Sequence, residues 1–68
     1  MRQIMIHAAE EGGFWASCPS LPGCYSQGET WEETVANMKE AIELYIEDMI
    51  KTGEEVPEDK LDRVLVVV

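Results

Sequence analysis

The sequence predicts an α+β domain of β-β-β-α-β order, with one helix packed on one face of the sheet. Three observations predict it. Short extended segments broken by glycine- and proline-bearing turns fill the chain up to Gly28, one long amphipathic period begins at Thr30, and a β-branched run, Val64-Leu65-Val66-Val67-Val68, closes the chain.

Residues 2–9 alternate, with Ile4, Ile6 and Ala8 on one side and Met5, His7 and Ala9 on the other. A period of two is a strand, and the first set makes the better core face. Glu10-Glu11-Gly12-Gly13 is a polar hairpin turn, and Phe14-Trp15-Ala16-Ser17-Cys18 is an aromatic-rich second strand, antiparallel to the first. The rest is organised around residues 18–34. Leu21-Pro22-Gly23-Cys24 has the chemistry of a type II turn, in which Pro22 presets φ and Gly23 takes the positive φ that a Cβ resists. Residues 24–27 then form a third short strand, which Gly28 ends, completing a meander. Thr30 stands three residues before Glu33. In that capping-box spacing the hydroxyl takes a free helix amide and the carboxylate returns to the cap's own amide, so a helix starts at about Trp31.

Along this helix Trp31, Val35, Met38, Ile42, Tyr45 and Met49 share one face, flanked by Ala41 and Ile46, with Glu33, Glu40, Glu43 and Glu47 opposite. Gly53 suits the position just past its end, and residues 54–59 are a polar linker. The valine-rich run 64–68 has the pattern of a strand buried on both faces. After a crossover helix it is expected to lie parallel to the first strand, on its outer side, giving the sheet order 3-2-1-4. With a single helix to cover the sheet, the face carrying Met5, His7 and Trp15 is left for solvent, another subunit or a partner.

The 68 residues make one domain, and a core of this size is marginal, since only ~60% of the unfolded surface is buried on folding. Association with itself, as a dimer or tetramer, or with a partner is therefore expected. Fourteen acidic against five basic residues give a formal charge of −9, which repels phosphate backbones and excludes direct nucleic-acid binding as the expected role. The same acidity serves solubility or a basic protein partner equally well. No apolar run approaches the ~20 residues of a membrane span or forms a secretory signal, so no membrane association and a cytoplasmic location are expected.

Candidate chemistry is sparse. His7 is the single histidine, and nothing in the spacing sets Cys18 or Cys24 beside it as a nucleophile. The gap between the two cysteines lacks the short C-x-x-C geometry of a zinc site, and a fourth ligand is not evident, so neither a metal nor a cofactor is expected. In a reducing compartment both thiols stay free as core or near-core residues, and whether the turn between them brings them close enough to pair on oxidation stays open. Glu40, Glu43 and Glu47 belong to the solvated face, where Glu47 and Lys51 form a surface pair worth only ~0.3 to 0.5 kcal/mol. Leu44 is the anomaly there, an apolar residue pointing away from the apolar stripe. The candidate partner contacts are thus Met5, His7 and Trp15 on the sheet and Leu44 on the helix exterior, with no catalytic residue.

Taken together, Gly12-Gly13-Phe14-Trp15-Ala16, Pro19-Ser20-Leu21-Pro22-Gly23-Cys24, Gln27-Gly28-Glu29-Thr30, Glu33 and Ala41-Ile42 resemble the HicB family of antitoxins. The likeness runs from residue 4 to about residue 58. It implies a partial ribonuclease H-like fold and a non-enzymatic role: binding and blocking a HicA-type toxin, a small basic protein of double-stranded-RNA-binding fold that cleaves messenger RNA with a histidine. An acidic domain suits such a partner, because complementary charge speeds encounter. Two departures from the family pattern stand out. Ser20 lies between the two prolines where relatives often carry an acid, and a single domain over residues 1–68, without a C-terminal DNA-binding domain, is expected here. The alternative is a homo-oligomeric interaction module of the same fold without a toxin. A metal-dependent nuclease is disfavoured, because such a site usually takes a carboxylate from the first strand and residues 3–9 contain none.

Overall fold

The structure, a computed structural model, describes residues 2–59 together with residues 66 and 67. Three strands, β1 (Gln3–Ala8), β2 (Phe14–Ser17) and β3 (Tyr25–Gly28), precede one helix, α1 (Trp31–Lys51), and a short strand, β4 (Val66–Val67), follows. The hydrogen-bonded order is β3-β2-β1-β4, and every pairing is antiparallel. The α+β class agrees with the sequence pattern.

Period-two alternation sorts the sheet into two faces. Ile4 and Ala16 are fully buried, and with Cys18, Leu21 and Cys24 they meet Met38 and Ile42 of α1 in the core, with Ile6 packed at its edge. The helix lies chiefly over β3 and β2. It begins where expected: the Thr30 hydroxyl accepts the Glu33 amide at 3.1 Å. The expected return bond from the Glu33 carboxylate to the Thr30 amide is not formed; Glu33 is exposed and its carboxylate stays in water. At the other end the amides of Gly53 and Glu54 donate to the carbonyls of Ile50 and Met49, so the helix closes in a Schellman arrangement around the positive φ of Gly53. No helix among the described residues is long and apolar enough to cross a membrane.

The β2–β3 connection is two consecutive turns. The amide of Leu21 donates to the Cys18 carbonyl and that of Cys24 to the Leu21 carbonyl, at 3.0 and 3.1 Å, and Gly23 takes the positive φ its turn requires. Leu21, the hinge between the turns, is fully buried. Side chains from distant parts of the chain tie onto this loop. The Tyr45 hydroxyl donates to the Pro22 carbonyl at 2.6 Å, and the Ser20 hydroxyl donates to Asp59 Oδ1 at 2.8 Å. Asp59 Oδ2 in turn accepts the amide of Gln3, so one carboxylate joins the linker, the loop and the start of β1. An acid at position 20 would set two carboxylates against each other here, which accounts for serine at this place.

The linker also corrects the expected direction of the last strand. Val66 lies opposite Ile4 and Val67 opposite Gln3, so β4 runs antiparallel to β1, not parallel to it. The parallel arrangement assumed that α1 acts as a crossover connection between strands of one direction. Instead the chain is fixed at the start of β1 by Asp59, and Val66–Val67 runs back toward that same end. Val64, Leu65 and Val68 of the expected strand lie outside the described residues.

Helix and sheet meet most closely at Gly28. A Cβ there would stand 2.7 Å from both the amide nitrogen and Oγ1 of Thr34, which is itself fully buried and donates to the Thr30 carbonyl. Gly28→Ala is expected to destabilise the fold by ~1 to 3 kcal/mol through this overlap, read as a lower midpoint in urea unfolding. Asp59→Ala, which strands the Gln3 amide and the Ser20 hydroxyl, is expected to cost ~1 to 3 kcal/mol by the same measurement.

Candidate functional site

The face of the sheet opposite α1 carries a row of aromatic side chains, set out by register alone. His7 of β1 pairs directly with Trp15 of β2, and their rings stack with centroids 4.2 Å apart and planes 20° from parallel. Tyr25 of β3 pairs with Ser17 and so stands diagonal to Trp15, with ring centroids 6.5 Å apart. Met5, opposite Ser17, extends the row along β1. Trp15 is 40% exposed and Tyr25 63%. Rings held this way form a continuous aromatic platform that offers apolar area, with the Tyr25 ring tilted 51° from that of Trp15.

Beyond His7 and Trp15 the platform opens into a groove at the end of the sheet, bounded by the β1–β2 turn and the start of α1. Glu10, Glu11, Glu29 and Glu33 stand along it. At its back the Asn37 amide donates to the Gln27 carbonyl at 2.8 Å, which holds the helix start against β3. The groove is therefore aromatic on one side and acidic on the rim, a surface that suits a cationic side chain of a partner.

Of the four residues expected to contact a partner, the structure brings Met5, His7 and Trp15 together on this face. Leu44 does not join them. It is exposed on α1, and the helix lies on the other side of the sheet, so Leu44 belongs to a separate surface. Sequence reasoning missed Tyr25; its signal was the alternation of the third strand, which puts Tyr25 and Gln27 on the face shared with Trp15. It also missed Ile50, 66% exposed on the last turns of the helix.

The arrangement offers binding surface. His7 stacks on an indole, while Cys18 and Cys24 are buried on the core side of the sheet, so the histidine has no thiol beside it. Among the described residues no three histidine, cysteine or acidic side chains gather as metal ligands. Lys51 and Glu47 form their expected pair at 3.4 Å on the outside of the helix, well hydrated on both sides.

Proteins similar to this chain include several UPF0150 proteins. A UPF0150 protein of Synechocystis sp. is 47% identical over 85% of this chain and 73% of its own length. Another, from Thermoplasma acidophilum, is 40% identical over 93% of this chain and 91% of its own. The model of a family described as HicB_like antitoxin of bacterial toxin-antitoxin system matches residues 3–65. With nearly its whole length matched, this chain belongs to the HicB-like antitoxin family of bacterial toxin–antitoxin systems.

Proposed function

We propose that this protein is an antitoxin that binds a small basic HicA-type toxin through the open sheet face and blocks its cleavage of messenger RNA. The observation that carries this reading is the uncovered row of Met5, His7, Trp15 and Tyr25 beside an acidic rim, in a member of an antitoxin family. The role needs no reacting group in this chain. A basic toxin exposes cationic side chains to grip RNA, and a surface of net negative charge competes for those same groups. Long-range attraction from a chain of charge −9 brings the partners together, and the aromatic platform supplies area whose burial contributes ~25 cal/mol per Å². The place of action is the cytoplasm, where messenger RNA is translated.

Co-expression with any small basic protein encoded next to it, followed by copurification and a growth-rescue assay, tests the reading. A stable complex and rescued growth are expected; no complex and no rescue would sink the idea. Within the complex, Trp15→Ala is expected to weaken binding about 30-fold by calorimetry, since aromatic residues at the centre of an interface commonly contribute ~2 kcal/mol. The side chain is 40% exposed, so thermal unfolding of the free variant should show the fold retained.

A second surface favours self-association. Leu44 and Ile50 are both more than half exposed on α1, and Ile50 lines an apolar strip with Ile42 and Ile46, edged by Glu43, Glu47 and Lys51. In this reading, the family module pairs with its own copies through the helix, with or without a toxin. Light scattering at micromolar concentration is expected to give a dimer or tetramer that Leu44→Glu shifts toward monomer; a wild-type monomer excludes it.

A further inference from the structure

We infer that Cys18 and Cys24 form a disulfide site, which the folded chain holds ready to close by exchange with a low-molecular-weight disulfide of the glutathione type. The β2–β3 register runs through Ser17 opposite Tyr25, and one further step sets Cys18 opposite Cys24. The amide of Cys18 donates to the carbonyl of Cys24 at 3.1 Å, so the pair does continue the ladder. Directly opposed residues of an antiparallel pair have Cα atoms about 4.5 or 5.5 Å apart, and both spacings lie inside the window of about 4.4 to 6.8 Å that a disulfide spans. Both side chains are on the core side, 3% and 4% exposed, so they face the same way. Both thiols are free in this structure.

The surroundings accommodate the change. Ser20 gives its only hydroxyl hydrogen to Asp59, so in the contact of 3.4 Å between Cys18 Sγ and Ser20 Oγ the thiol is the donor. Oxidation removes that hydrogen, and Arg2 Nη1, which donates to the same Ser20 oxygen at 3.2 Å, remains as its donor. The clasp through Asp59 therefore survives. Burial, followed by the neighbouring Cys18, pushes the Cys24 thiol up from its ordinary range, which keeps thiolate scarce and exchange slow.

The step balances. One cysteine thiolate attacks the small disulfide, forming a mixed disulfide and releasing one small thiolate. The second cysteine thiolate attacks the protein-side sulfur of that mixed disulfide, forming the Cys18–Cys24 bond and releasing the other. The two protons given up by the cysteines end on the two small thiols; the pair loses two electrons and the small disulfide gains them.

Equilibration of the full chain in oxidised and reduced glutathione, acid quenching, denaturation, alkylation and intact mass measurement tests the site. The folded chain should become lighter by two hydrogens, show no disulfide link between chains and resist alkylation. It should do so at a ratio of oxidised to squared reduced glutathione at least about tenfold lower than the same chain in urea requires. An equal or higher ratio for the folded chain overturns the inference, as do glutathione adducts or linked dimers in place of the internal bond. The Cys18→Ser variant should carry a single adduct or stay reduced, and an internal mass loss in it would equally overturn the assignment.

Discussion

The loop from Cys18 to Cys24 is the place on which the other parts of this small fold depend. Its two turns fold Leu21 under the sheet, and the buried leucine meets Met38 and Ile42 of the helix. Its outer atoms receive what the rest of the chain sends back: Tyr45 from the middle of α1 reaches Pro22, and Asp59 from the linker reaches Ser20. Neither bond is strong alone, each being worth ~1 kcal/mol or somewhat more where a carboxylate takes part. Their value is in closing long stretches of chain onto one rigid point, which a core of so few residues could not do by area alone.

What the sequence made legible follows from how local each determinant is. Alternation in β1 assigned Ile4 and Ile6 to the core and Met5 and His7 to the open side, because a strand has a fixed period of two. Pro22-Gly23 and Thr30 announced a turn and a helix start, because each acts on the backbone within three residues of itself. The direction of β4 was not legible. It is a matter of tertiary pairing, Val66 opposite Ile4 and Val67 opposite Gln3, which no local period encodes. The burial of Thr34 was equally hidden: a threonine in a helix reads as surface until the glycine facing it, Gly28, lets the two backbones approach. The candidate site was legible in part. Met5, His7 and Trp15 came from the strand pattern and Leu44 from the helical period, and the structure leaves Leu44 exposed on the helix, apart from the sheet face.

Leaving one sheet face uncovered shapes the energetics as well as the function. Trp15, Tyr25 and Met5 hold apolar area that folding of the monomer does not remove from water, and the acidic side chains around the β1–β2 turn and along α1 repel one another. Both features count against the isolated chain, and the cationic partner proposed above would cover the first and neutralise the second. A protein built this way is most stable when bound, since any ligand that selects the folded state adds to its stability by mass action.

The cysteine pair and the aromatic platform are joined by a single register step. Ser17 and Tyr25, the neighbours of Cys18 and Cys24 in the ladder, point to the opposite face, where Tyr25 continues the row begun by His7 and Trp15. A covalent tie on the core side would therefore leave the chemistry of the open face unchanged while holding the β3 end of the platform against β2. Tyr25 is the most exposed ring of the row and stands at the first residue of β3, next to the loop. Stiffening its backbone would reduce the conformational entropy lost if a partner settles on it, so closing the proposed disulfide would act on the face through order rather than through contact.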